Sequence, residues 1–207
     1  MGYEKWKKRV RAEIRRYTVR LMRACLVAVL LFALSNTLAR SDIRGCVCDL
    51  SKPDTPTLRV CSLCLEAEKQ PESTRVFFLR DVNPTKPNRW LALPRAGQHD
   101  GPTPLPRMTA AERTEVWSAA IGKARELWGD GWGLALNGDA SRTQCHLHIH
   151  IGKLLDRQDE TRVPGTYVRG PEEIPVVDDG NGVWVHPAGG RLHVHVGEVT
   201  TETVLLR

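Results

Sequence analysis

Between Thr143 and Ile151 three histidines alternate with aliphatic residues, in the run Thr143-Gln144-Cys145-His146-Leu147-His148-Ile149-His150-Ile151. Side chains on a β-strand repeat with period two. The spacing therefore predicts a strand that turns His146, His148 and His150 to one face and sends Leu147, Ile149 and Ile151 into a core. Neighbouring imidazoles on that face stand about 6–7 Å apart. A desolvated cluster of imidazoles is costly without partners, and two chemistries use such a face. Neutral imidazole is a common zinc ligand. Unprotonated imidazole can also attack phosphorus, with flanking histidines handling charge and protons.

The chain around this run reads as α+β with antiparallel strands. Residues 75–80 (RVFFLR) and 89–93 (RWLAL) are strand-like and flank a turn-rich Asp81-Val82-Asn83-Pro84-Thr85-Lys86-Pro87-Asn88. Thr109 and Glu112 form a capping-box pattern. From Ala110 to Trp128 an apolar stripe of Val116, Ala120, Ile121, Ala124 and Leu127 predicts one long helix, ended by Gly129-Asp130-Gly131. Further strands are expected at 132–136, 146–151, 183–185, 192–196 and 203–206. Four segments result: 1–39, a linker at 40–60, a central domain at 61–156 and a C-terminal β extension at 157–207.

The whole chain carries a formal charge of +6. Residues 1–23 alone hold nine Lys or Arg against Glu4 and Glu13, so everything after them is close to neutral. A nucleic-acid-binding domain spreads its basic charge over a folded face, which argues against that class. Trp6, Val10, Ile14, Tyr17 and Leu21 lie on one helical face among the basic residues, as in helices that lie on anionic membranes. The uncharged run Ala24–Leu34 follows, with Thr37-Leu38-Ala39 behind it. Its length suits a signal peptide or a retained membrane helix. Either places residues 41–207 on the extracytoplasmic side, membrane-associated or exported, because positive charge stays inside.

The run His146-Leu147-His148-Ile149-His150-Ile151 resembles the signature of the histidine-triad superfamily, His-φ-His-φ-His-φ. The likeness extends upstream over "CSLCLEAEKQPESTRVFFLRDVNPTKPNRWLALPRAGQH" and "GLALNGDASRTQCHLHIHI", together about residues 61–156. Within the superfamily, "LNGDASRTQCHLHIHI" behind an N-terminal apolar segment is most similar to the bacterial CDP-diacylglycerol pyrophosphatases. The resemblance implies an antiparallel histidine-triad sheet with one long helix, here with an N-terminal membrane helix and a C-terminal β extension. It also implies a hydrolase that cleaves a phosphoanhydride of a nucleotide or nucleotide-lipid conjugate, with no cofactor required for catalysis. His148 would be the nucleophile, with His150 and Thr143 beside it as catalytic groups. Asn137, Arg142, Gln144 and His146 would bind substrate. Such proteins often dimerise, which leaves a homodimer open.

Cys61-x-x-Cys64 has the spacing of zinc ligands. In zinc-bearing members of the superfamily such a pair is joined by a loop histidine and the first triad histidine, which here correspond to His99 and His146. The same cysteines, with Cys46 and Cys48, also suit disulfides in an exported domain. Two other functions stand beside the lipid hydrolase. One is a soluble dinucleotide hydrolase or nucleotidyl transferase; the other is an exported zinc-stabilised binding module without turnover. His186, His193 and His195 recur near the C-terminus and read as a second metal site, a pocket wall or an exposed hairpin face.

Overall fold

The chain divides into two compact units, Met1–Arg40 and Ser41–Arg207. The computed structural model describes residues 2–3, 22, 43, 48–49, 51–52, 54–55, 58–95, 105–156, 164–177 and 180–207. Only Gly2, Tyr3 and Met22 of the first unit are among them, so the amphipathic and apolar segments lie outside the described residues.

In the second unit a 3-10 turn at Arg59–Cys61 leads into a short helix, α1 (Ser62–Glu68). Strands β1 (Val76–Arg80) and β2 (Trp90–Pro94) come next, then the long helix α2 (Ala110–Trp128). Strands β3 (Trp132–Leu136), β4 (Ile149–Lys153), β5 (Gly165–Val168), β6 (Val183–Ala188) and β7 (Arg191–Val196) complete the fold. All seven join one sheet in the order β1-β2-β4-β3-β6-β7-β5, and every pairing is antiparallel.

Helix α2 starts where its sequence says it should. Glu112 N–H donates to Thr109 Oγ1, and Thr109 N–H donates to the Glu112 carboxylate at 2.8 Å. The reciprocal pair satisfies two of the amides that a helix N-terminus leaves open. At the other end Gly129 takes a φ of 55°, a left-handed value that glycine adopts freely. Between the ends Val116, Trp117, Ala120, Ile121 and Ala124 are buried against the sheet.

The strands alternate as period two requires. Leu134, Leu136, Ile149, Ile151, Val183, Val185, Leu192 and Val194 join α2 in the main core. Their neighbours Ala135, His150, Trp184, His193 and His195 therefore face the other way. In register, Leu91 opposes His150, His150 opposes Ala135, Ala135 opposes Trp184 and Trp184 opposes His195. One row on the face opposite α2 thus runs across five strands.

Five expectations about architecture need correction. Among the described residues no helix is long and apolar enough to cross a membrane, and the expected N-terminal membrane helix has no counterpart there. Among the described residues of the second unit there are two helices rather than one, because Ser62–Glu68 also winds into a helix. The C-terminal strands are not an extension: β6 pairs directly with β3 through Leu134–Val185, so residues beyond 156 complete the same sheet. Segment 203–206 was expected as a strand, but Glu202–Val204 forms a 3-10 turn and only Leu205 bridges to Leu154. The described residues of the expected linker are packed in, since Ile43, Cys48 and Thr55 are all buried.

Candidate active site

Strand β4 begins at Ile149, so His146 and His148 lie in the extended segment that feeds it rather than in the ladder itself. All three triad imidazoles are buried. They do not share one environment. His148 and His150 line a cavity of about 680 Å³ on the face opposite α2, and their rings meet edge to face with centroids 4.9 Å apart. His146 does not line it. Its Nε2–H donates to the carbonyl of Pro94 at 2.6 Å, and its ring packs beside Phe77. A substrate-binding role for His146 is corrected on that ground.

The tautomer of His148 follows from its neighbour. Nδ1 lies 2.8 Å from the backbone carbonyl of His146. A carbonyl only accepts, so Nδ1 carries the proton and Nε2 holds a lone pair. Burial pulls the pKa of His148 down to about 4, with the charge of Arg142 adding to the effect. Burial likewise brings His146 to about 4 and holds His150 well below the ordinary value. Near neutral pH the triad is therefore uncharged, the state in which imidazole is a nucleophile.

Thr143, Gln144 and Asn137 line the cavity as the sequence suggested. Local structure fixes two of them. Gln144 Oε1 accepts from Ser62 Oγ at 2.9 Å. Asn137 Oδ1 accepts the amides of Thr201 and Glu202 at 2.9 and 3.0 Å. With their oxygens committed, the remaining polar group of each amide is an NH₂ donor, the kind of group that meets phosphoryl oxygens. Arg142 is different. The turn from Gly138 pairs its guanidinium with Asp139 at 2.6 Å, and it lies buried off the cavity wall. Its place among the substrate-binding residues is corrected accordingly.

The cavity also holds residues that the sequence did not single out, chiefly Lys86, Glu202, Arg59 and Ser141. Glu202 Oε2 bonds Lys86 Nζ at 2.5 Å and Arg89 at 3.1 Å, and lies 3.7 Å from His150 Nδ1. Burial opposes its charge, yet His150, Lys86 and Arg89 together hold its carboxyl at about 2. Arg89 is buried and also donates to the carbonyls of Glu202, Leu205 and Leu206. It thereby fastens the last residues of the chain over the sheet as one wall of the cavity. Lys86 stands in the quoted Asn-Pro turn and could have been weighed from it. Glu202 carries no local signal, because only the folded tail brings it to His150.

The predicted zinc tetrad is not assembled. Cys61 is joined to Cys48 in a disulfide, with Cα atoms 5.5 Å apart, and Cys145 is also disulfide-bonded. Cys64 is a buried free thiol, raised by burial to about 11. His146 spends Nε2 on Pro94, and His99 lies outside the described residues. Two groups of side chains nevertheless cluster closely enough to hold a metal ion: the sulfurs of Cys48, Cys61 and Cys145, which could do so only when reduced, and the ring nitrogens of His186, His193 and His195. The second group is buried, which removes the reading of an exposed hairpin face.

No protein-family model matches the sequence, and no curated protein matches it.

Proposed function

We propose that this protein is a hydrolase that cleaves the phosphoanhydride of a nucleotide conjugate through a phospho-histidine intermediate on His148. The observation that carries the reading is the His148 ring. It fronts the cavity, and its Nδ1–H is held by the His146 carbonyl, so Nε2 is the basic nitrogen. Nε2 attacks the phosphorus next to the nucleoside, an N–P bond forms and the bridging P–O bond breaks. The electron pair of that bond leaves with the departing phosphate. Positive charge on the ring is met by the same carbonyl through Nδ1–H. Water then attacks the phosphorus, the N–P bond breaks, and the nucleoside monophosphate departs.

Thr143, Gln144 and Asn137 supply donors for the phosphoryl oxygens, and His150 borders the attacking ring. The leading substrate is CDP-diacylglycerol, giving CMP and phosphatidate. That choice rests on the resemblance of residues 136–151 to pyrophosphatases of this lipid. The disulfide at Cys48–Cys61 accords with an exported, oxidising setting.

The test is CMP release from CDP-diacylglycerol in detergent micelles, with acid-stable or base-stable phospho-protein followed after rapid quenching. A base-stable phospho-protein that carries the nucleoside and disappears in His148→Ala supports the reading. Equal turnover by the folded His148→Ala protein overturns it. Faster cleavage of a soluble dinucleotide polyphosphate replaces the lipid with that substrate but keeps the chemistry.

A further inference from the structure

The C-terminal hairpin carries a second cluster that the proposed hydrolysis does not use. His186 lies on β6, and His193 and His195 lie on β7. His186 opposes His193 directly in the ladder, and His195 is two residues further along the same face. The three side chains are 2%, 7% and 2% exposed, and one ring nitrogen from each lies within 4.8 Å of the others.

Two further observations point to a ligand. First, Nε2 of His186 and Nε2 of His195 stand 3.4 Å apart. Two nitrogens held about 2.0–2.1 Å from a tetrahedral zinc ion are separated by roughly 3.3 Å. Second, Nδ1 of His186 lies 3.1 Å from the carbonyl of Pro187. Its proton therefore sits on Nδ1, and Nε2 presents a lone pair toward His195. Donation of the remote N–H to a carbonyl is the usual outer support of a metal-bound histidine.

The rings are also fixed in place. His195 stacks on Trp184 at 3.7 Å, and His193 stacks on Tyr167 at 4.2 Å. A β-carbon at Gly165 would fall 2.1 Å from His193 Nε2, so only glycine on β5 leaves room for that ring.

We propose that His186, His193 and His195 bind one divalent transition-metal ion, zinc by ligand type. Three neutral imidazoles favour zinc, cobalt, nickel or copper over magnesium or calcium, which take oxygen ligands. The His193 nitrogen lies within 4.8 Å of the other two, so it closes by up to about 1.5 Å to complete the tetrahedron. The site is separate from His148. Along the shared row it lies three strands from His150, about 14 Å at the sheet's usual spacing.

The experiment uses the full chain, without reductant, titrated with Co²⁺ as a spectroscopic stand-in and with Zn²⁺ in competition. One equivalent of Co²⁺ with tetrahedral visible absorption, displaced by Zn²⁺, is the expected result. His186→Gln and His195→Gln abolish that absorption. Gly165→Ala, which keeps all three ligands, weakens binding by about 10–100-fold. Thermal melting of each variant in chelator identifies any that fail to fold. Absence of metal uptake by the wild-type chain overturns the proposal. So does retention of the full equivalent in the folded His186→Gln and His195→Gln proteins, or its loss only when Cys48, Cys61 and Cys145 are replaced by serine.

Discussion

The Nδ1 proton of His148 rests on the backbone carbonyl of His146, 2.8 Å away, and that contact decides which nitrogen of the ring keeps its lone pair. No side chain is needed to set the tautomer. On the proposed phospho-histidine route, His148→Ala abolishes turnover, by about 10⁴-fold or more, because that route needs the ring's Nε2. The rate of nucleotide release and the yield of phospho-protein should fall together, while circular dichroism stays unchanged.

Acid should weaken the fold before it reaches the usual carboxylate range. Burial depresses His146 and His148 to about 4, against about 6.5 for an unfolded histidine. Between those values the unfolded chain binds more protons than the native one, so stability falls as pH drops from 6.5 toward 4. Their contribution is fully present above 6.5 and of order 3 kcal/mol for each. Glu202 acts in the same direction lower down, because its carboxyl is held at about 2. Urea midpoints at pH 7.5, 5.5 and 4.5 should decline in that order.

Replacing Arg89 by methionine should harm both stability and activity. The buried guanidinium serves Glu202 and three tail carbonyls at once. Its loss leaves three tail carbonyls without their donor and Glu202 with Lys86 alone, at a cost of about 3 kcal/mol or more. Thermal melting measures the first effect. A rise in KM beyond the loss in kcat measures the second, since the tail is a wall of the cavity.

Cys48→Ser should lower stability by about 3 kcal/mol, the loop-closure effect of a link spanning 13 residues. Calorimetry without reductant reads that change directly. Cys64, buried with its thiol raised to about 11, should react with a thiol reagent only after denaturation.

Local signals carried much of the fold. The capping box and Gly129 bracket α2 at Ala110 and Trp128, and the apolar run at Trp132–Leu136 is β3 with no shift. The alternation of His148 and His150 with Ile149 and Ile151 correctly separated cavity from core. Long-range information was missing. Nothing near Leu134 announces that it will pair with Val185, and β5 is a four-residue strand with no apolar alternation. Thr203–Leu206 has strand-like composition, but Asn137 captures the amides of Thr201 and Glu202 and bends the chain first. Cysteine spacing favoured zinc and left disulfides open, because connectivity is set by folded distance and not by sequence.

Since β6 lies against β3, no excisable catalytic core ends near Asp156. A clone trimmed there would discard Glu202 and leave β3 as a raw border of unmatched amides and carbonyls, ready to zip onto a neighbouring copy. Precipitation of such a fragment would reflect where it was cut rather than any weakness of the intact chain.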